Sequence, residues 1–118
     1  QRDLGVMHDR LRSAERLVHF ELDRLWHGLL NDEPPTSLES AELMSAFTTN
    51  AEAALEATEL AYRYSGGDGV FLESPFQRQV RDMRVASQHI LIGEYNYEGT
   101  ARALLEKAAP QPQVLSSE

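Results

Sequence analysis

The spacing of hydrophobic residues along the first part of the chain predicts one long amphipathic helix. From about Leu4 to Asn31, apolar side chains recur at intervals of three and four, the period that places residues on one helical face. This face comprises Met7, Leu11, Ala14, Val18, Leu22, Leu25 and Leu29. Because Leu17, Trp26 and Leu30 widen it, we expect the helix to be packed from more than one side.

A second helix is predicted to begin at a capping box. Pro34 and Pro35 end the first helix, because proline lacks an N–H and restricts the residue before it. Thr36 and Glu39 then have the spacing at which each side chain accepts a hydrogen bond from the other residue's backbone N–H. The expected inner face of this helix comprises Met44, Phe47, Ala51, Leu55, Thr58 and Tyr62.

Glycines and a second capping signal separate the second helix from a third. The Ser-Gly-Gly-Asp-Gly segment at 65–69 is expected to stop helix two, since glycine adopts positive φ at helix C-termini without penalty. Helix three is predicted to begin with Pro75 at its first position and a capping box between Ser74 and Gln77. Its expected inner face comprises Phe76, Val80, Met83, Ser87, Ile90 and Leu91.

A fourth helix is expected after a break near Gly93, from about Glu94 to Lys107. Prolines in the Ser/Gln/Pro-rich end of the chain predict fraying, so the helical domain is expected to occupy residues 1–109 and a flexible tail residues 110–118. The sequence contains no strand pattern and no internal repeat. It therefore predicts an all-α fold, an antiparallel up-down four-helix bundle.

Composition and charge narrow the classes of function open to this bundle. The chain has 19 acidic and 11 basic residues, a formal net charge of −8. It has no basic cluster of the kind that follows nucleic-acid phosphates, so we expect no nucleic-acid partner. The absence of cysteine excludes a disulfide, a thiolate metal ligand and a cysteine nucleophile, and is compatible with the cytoplasm, where we expect the protein. No apolar run is long enough to span a membrane.

The four histidines lack the spacing of a bundle metal site. A di-iron centre needs Glu-x-x-His on two helices, and no glutamate precedes His8, His19, His27 or His89 at that distance. We therefore expect no bound metal. Taken alone, His89 is most simply a surface or packing residue, and the alternative is a group that donates or accepts a proton near neutral pH.

Two further motifs have simple structural interpretations. Gly66, Gly67 and Gly69 follow a helix rather than a strand, so they do not form a dinucleotide-binding fingerprint and are most simply a helix stop. Arg81 and Asp82 are most simply a solvated or ion-paired face of helix three, where an exposed pair contributes about 0–1 kcal/mol. No serine lies in a Gly-x-Ser-x-Gly nucleophile elbow.

The order of these parts between Tyr62 and Thr100 nevertheless resembles the C-terminal helical domain of the acyl-CoA dehydrogenase superfamily. It is most similar to the flavin-dependent monooxygenase branch, and the resemblance covers nearly the whole chain. The motifs that carry it are the glycine turn at 66–69, the helix start Ser74-Pro75, the pair Arg81-Asp82 and the pair Gln88-His89.

The resemblance implies a flavin, FAD or FMN, in the full-length protein. It implies that Gly66, Gly67 and Gly69 form a turn near the cofactor, often that of a neighbouring subunit, and that His89 faces the flavin or substrate as an acid or base. Arg81 and Asp82 would orient and pack helix three. It further implies a homotetramer and, as in two-component hydroxylases, a separate reductase that supplies reduced flavin.

Two alternatives remain open. Acyl-CoA dehydrogenases proper often carry their base in a Tyr-Glu-Gly-Thr string, and this chain has such a string at 97–100. It lies nearly two turns, about 10 Å along a helix, beyond the family position, which Ile90 occupies, so Glu98 is a base only in a shifted geometry. A non-catalytic helical interaction module is the other alternative.

The family comparison also affects what this chain does alone. Family members are much longer, with an N-terminal helical domain and a central β-barrel, and Gln1 is not an initiator methionine. We expect the isolated chain to be inactive, to hold no flavin, and to self-associate through faces that other domains and subunits normally cover.

Overall fold

A computed structural model describes residues 1–67, 73–89 and 91–112 of the chain. These residues form four helices and no strand, so the predicted all-α fold is confirmed. The helices are α1 (Arg2–Leu30), α2 (Ser37–Tyr64), α3 (Pro75–Ala86) and α4 (Tyr95–Ala108). None of them is long and apolar enough to cross a membrane. The tail expected at 110–118 lies largely outside the described residues and stays a prediction.

Helix α2 lies at the centre of the arrangement. It packs against each of the other three helices, and no other pair of described helices is in contact. Its fully buried side chains are small, which lets neighbouring helices approach its backbone closely. These residues are Ala46, Thr48, Ala51 and Ala53. The packing of the described domain is therefore organised around one helix.

Polar pairs along α1 and α2 show that these helices run antiparallel. The phenol of Tyr64, at the end of α2, donates a hydrogen bond of 2.9 Å to Asp3, near the start of α1. Two ion pairs follow at later positions in α1 and earlier positions in α2, namely Arg10 with Glu56 and Arg24 with Glu42. Helix α4 also runs antiparallel to α2, as its hydrogen bonds below show.

The inner face of α1 differs from the predicted one by a small rotation. Glu21 and Gly28 lie against α2, whereas Leu22 and Leu29 are exposed. From Met7 to Gly28 the buried and half-buried positions follow alternate steps of four and three, with half-buried Arg24 beside Leu25 as the one addition, whereas the prediction took a second step of four after Val18. Four residues turn the helix by about 40° more than one full turn, so a second step of four moves the next residue off the face that contacts α2.

The expectation that α1 is packed from more than one side is wrong for the described chain, because α1 contacts α2 alone. The residues that widen its apolar face point away from that contact. Trp26 is 62% exposed, and Leu17 and Leu30 are also exposed. The outer face of α1 therefore carries large apolar side chains in contact with solvent.

The predicted capping box at the start of α2 is confirmed. The Glu39 N–H donates to Thr36 Oγ1 at 3.1 Å, and the Thr36 N–H donates to the Glu39 carboxylate at 3.0 Å. The capping box predicted for α3 is wrong, although Pro75 does occupy the first turn. Ser74 is buried and makes no capping bond, and neither its hydroxyl nor the Gln77 side-chain oxygen has a partner among the described residues.

Helix α3 ends at Ala86, so the prediction that it continues to Leu91 is wrong, and Ile90 lies outside the described residues. The Gln88 and His89 N–H groups each donate to a carbonyl three residues back, which tightens the chain into a turn. His89 therefore lies between helices rather than on one. The start of α4 at Tyr95 agrees with the predicted break near Gly93.

The turn between α1 and α2 requires glycine at position 28. The Glu33 N–H donates to the Gly28 carbonyl at 2.8 Å, and the Glu33 carbonyl oxygen would lie 2.9 Å from a Cβ placed on Gly28. That distance is too short for an alanine. Gly5, in the same helix, has no atom within 4 Å of such a Cβ.

We expect Gly28→Ala to lower the free energy of unfolding by about 1–3 kcal/mol, since the added methyl overpacks against backbone. Gly5→Ala should raise it by up to about 1 kcal/mol, because alanine is the better helix former. Urea unfolding followed by circular dichroism measures both. Equal effects of the two substitutions would contradict this account of the turn.

Candidate functional site

His89 lies in the turn that joins α3 to α4, with its side chain exposed. Its ring Nδ1 lies 3.1 Å from the Leu91 backbone nitrogen, whose N–H it accepts. The His89 N–H donates to the Ala86 carbonyl at 3.1 Å, and the His89 carbonyl accepts the Ile92 N–H at 2.9 Å. The ring is thus held against its own turn through Nδ1, and the Nε2 edge is left for another partner.

Buried polar side chains from α4 and α2 hold this turn. Asn96 is 7% exposed and uses both hydrogens of its amide, donating to the Leu91 carbonyl and to Thr48 Oγ1, each at 2.9 Å. Thr48, 1% exposed, lies with its hydroxyl 3.3 Å from the Gly93 carbonyl. The position of the His89 turn is therefore fixed relative to the central helix.

The Tyr97-Glu98-Gly99-Thr100 string has a structural role in this chain. The Tyr97 phenol donates to Glu52 at 2.8 Å and accepts from the Thr49 hydroxyl at 2.9 Å. The Thr100 hydroxyl lies 3.0 Å from the Ala41 carbonyl. These bonds fix α4 antiparallel to α2, while Glu98 between them is exposed.

Arg81 and Asp82 lie on the exposed face of α3. Asp82 pairs with Arg78 at 3.6 Å, and both side chains are largely in solvent, where such a pair stabilises little. The simple interpretation of Arg81 and Asp82 as a solvated, ion-paired face is therefore confirmed for the described chain, and their orienting and packing role in the full-length protein stays a prediction. Helix α3 is attached to α2 by other residues, including buried Val80 and the Arg84–Glu59 ion pair at 3.1 Å.

The glycine turn lies beyond the C-terminal end of α2. Gly66 has φ of +65°, which confirms the predicted helix stop, and a Cβ on Gly66 or Gly67 would meet no atom within 4 Å. Gly69 lies outside the described residues. The His89 turn contacts α2 at Thr48, about 24 Å along the helix from Tyr64. The structure therefore does not bring Gly66 and Gly67 together with His89 within one chain.

A cleft that the sequence did not indicate lies at the turn between α1 and α2. It has a volume of about 730 Å³, and its lining includes Phe20, Arg24, Pro35, Leu43 and Met44. It contains none of the predicted site residues. It is open to solvent on one side and belongs to the packing of α1 against α2.

A buried carboxylate lies beside this cleft. Glu21 is 6% exposed and forms an ion pair with Arg24, which also contacts Glu42 at 2.6 Å. The hydrogen bond to Glu42 raises the pKa of Arg24, and the guanidinium lies 5.7 Å over the Phe20 ring. The sequence signal was the three-residue spacing of Glu21 and Arg24 on one helix, which the search for apolar positions passed over.

Comparison with known proteins agrees with this architecture. The family model for the acyl-CoA dehydrogenase C-terminal domain matches residues 1–94. The chain therefore belongs to this family of helical domains, and the resemblance expected from its motifs is confirmed.

A curated relative supplies a narrower similarity. The chain is 32% identical, over 108 residues, to an indole-3-acetate monooxygenase from Pseudomonas putida. The match covers 91% of this chain and 28% of the relative, so the chain spans well under a third of that protein's length. No solved structure matches the chain.

The contact of Tyr97 with α2 predicts a pH dependence. Burial is the main cause that raises the pKa of Tyr97 above the ordinary 10.0, and its bond to Glu52 adds to the effect. A raised pKa favours the neutral phenol in the folded state, so this contribution to stability is complete below pH 10.0 and is lost as the pH rises above it.

Between about pH 9 and pH 11, we therefore expect the free energy of unfolding to decrease less in Tyr97→Phe than in the parent protein. Tyr95→Phe is the matched control, since Tyr95 is exposed on the same helix. Urea unfolding at each pH measures the slopes. The same slope for the parent and both variants would show that Tyr97 does not carry the dependence.

Proposed function

We propose that this chain is the C-terminal helical domain of a flavin-dependent monooxygenase, in which His89 lies beside the flavin or substrate. The observation that carries the proposal is an exposed histidine in a turn that buried polar groups hold in place. The similarity to an indole-3-acetate monooxygenase supports oxygen chemistry over dehydrogenation.

The residues of this chain fit one edge of a flavin site. The His89 imidazole presents its Nε2 edge away from the turn, and such an edge suits the oxygen and nitrogen atoms of an isoalloxazine ring or a polar substrate. The glycine turn leaves open space beside its backbone, as a surface near a phosphate or adenine would need. The rest of the pocket belongs to other domains in this proposal.

His89 would act by position and hydrogen bonding at this edge. Bound reduced flavin, FAD or FMN, supplies the electrons with which one atom of O₂ enters the substrate and the other leaves as water. A separate reductase would supply the reduced flavin. We further propose that Gly66, Gly67 and Gly69 contact a different part of the cofactor, or the cofactor of a neighbouring subunit. The separation of about 24 Å between the His89 turn and the end of α2 supports this assignment.

An acyl-CoA dehydrogenase proper is the second candidate, because the matching family model bears that name and Glu98 is exposed on α4. In this alternative Glu98 removes the substrate α-proton. The hydrogen bonds of Tyr97 and Thr100 to α2 give their string a structural purpose and weaken this candidate.

We expect His89→Ala in the full-length protein to lower hydroxylation of indole-3-acetate by chemically reduced flavin and oxygen about 10²-fold or more, the usual effect of removing a preorganised hydrogen-bonding group from an active site. His19→Ala, an exposed histidine of α1, should leave it unchanged. Unchanged hydroxylation and oxygen coupling in His89→Ala would exclude His89 from the mechanism. Oxidation of an acyl-CoA by an artificial acceptor, lost in Glu98→Gln, would favour the dehydrogenase.

The outer face of α1 supports self-association as part of the proposed function. Phe20, Trp26 and Leu30 are each at least 60% exposed along its second half. Large apolar side chains grouped in this way are typical of surfaces that another chain or domain covers. We propose that this face is buried in the full-length protein, which we expect to be a homotetramer.

We expect the isolated 118-residue chain to self-associate through this face, so its single tryptophan, Trp26, should emit at shorter wavelength as the concentration rises. Leu30→Glu should abolish the shift, because it places a charge one turn from Trp26. Arg12→Glu, which adds a carboxylate at an exposed polar site of the same helix, is the control. A constant emission maximum at all concentrations would contradict the proposal.

A further inference from the structure

The hydrogen bond between His89 and Leu91 determines which ring nitrogen carries the proton. A backbone N–H can only donate, so the Nδ1 atom that lies 3.1 Å from the Leu91 nitrogen must be an unprotonated acceptor. In a neutral imidazole the proton then resides on Nε2. The tautomer thus follows from the backbone of the turn.

We propose that His89 is fixed as the Nε2–H tautomer and serves its site as a hydrogen-bond donor from Nε2, and not as a base. Thr48 and Asn96 are positioning residues that keep the Leu91 amide in place. The inference rests on the proposed function for where His89 faces, whereas the tautomer itself depends only on this chain. In this role His89 donates a hydrogen bond, and no proton is transferred.

The same bond explains why a base is disfavoured. The Nε2–H tautomer has its ring lone pair on Nδ1, and the Leu91 N–H occupies that lone pair. To accept a proton at Nε2, the neutral ring would first have to carry its proton on Nδ1. That arrangement places two N–H groups against each other and loses the bond to Leu91.

The backbone of Leu91 is held by a chain of hydrogen bonds that ends on α2. Its carbonyl accepts from Asn96 Nδ2, whose other hydrogen goes to Thr48 Oγ1, and both bonds measure 2.9 Å. Asn96 and Thr48 are more than nine-tenths buried, so water does not compete with these bonds. We therefore expect a substitution at Thr48 to affect the hydrogen bond of His89 to Leu91, although it does not alter His89 or Leu91 themselves.

His27 provides an internal contrast. Its Nδ1 lies 2.7 Å from the Asp23 carbonyl oxygen, and a carbonyl can only accept, so Nδ1 of His27 carries the proton. The two histidines are thus expected in opposite tautomers. A measurement that distinguishes the ring nitrogens should separate them in one sample.

The first test is ¹⁵N NMR of the full-length protein labelled at histidine, at alkaline pH where neutral rings dominate. Resonances are assigned by their loss in His89→Gln and in His27→Gln. We expect an unprotonated Nδ1 and a protonated Nε2 for His89, and the reverse for His27. A protonated Nδ1 on His89, or equal populations of both tautomers, would overturn the tautomer assignment whatever the enzyme's activity.

The positioning role is tested by Thr48→Val, which removes the hydroxyl but keeps the shape. We expect the two ¹⁵N shifts of His89 to move toward each other, as the tautomers begin to exchange. Thr48→Ser should retain the parent shifts because it keeps the hydroxyl. Thr58→Val is the control, since among the described residues the Thr58 hydroxyl bonds only the Leu55 carbonyl, within α2. Parent shifts in Thr48→Val would exclude Thr48 from this role.

The donor role is tested by His89→Gln against His89→Ala in the full-length protein, with indole-3-acetate, oxygen and reduced flavin. The glutamine amide offers an N–H where Nε2 stood but cannot act as a base. We expect His89→Gln to be at least ten times as active as His89→Ala. Equal, severe losses would overturn the donor role. Full activity of both variants would instead refute the proposed placement of His89.

Discussion

The packing of α2 is the constraint on which the rest of this structure depends. It is the one described helix that contacts α1, α3 and α4, so any change in its surface moves several neighbours. Small residues such as Ala46 and Ala51 allow the close approach, and polar residues such as Thr48 fix the register. A valine at Thr48 would fill the same space but would leave the buried Asn96 amide without one of its two partners.

The hydrophobic periodicity and the helix-capping and helix-stop residues predicted the helices well, because these signals depend on short-range chemistry. The Thr36 capping box, the positive φ of Gly66 and the start of α4 all follow from local backbone preferences. The errors arose where distant contacts outweighed local signals. Ser74 has the residue type of a cap, yet it is buried. A helical pattern ran through His89, yet its turn is held by hydrogen bonds from α2 and α4.

The candidate site also has features that the sequence predicted and features that only the structure showed. The choice of His89 rested on a family resemblance, and no pattern of spacing would have shown that Leu91 and Asn96 determine its environment. Gly66 and His89 belong to the same run of motifs in the sequence, but they lie near different parts of α2. A motif that is continuous in sequence can therefore serve two places in an assembly. The family match at residues 1–94 supports the fold, and the monooxygenase to which the chain is similar is a much longer protein.

We have proposed that the His89 turn forms one wall of a flavin site. A crystal structure of the full-length protein with bound flavin would give the distance from His89 Nε2 to the isoalloxazine ring or to a substrate bound against it. We expect a contact at hydrogen-bonding distance, with Nδ1 still bonded to the Leu91 N–H. A flavin bound elsewhere, with His89 facing solvent or buried between subunits away from any cofactor, would contradict it.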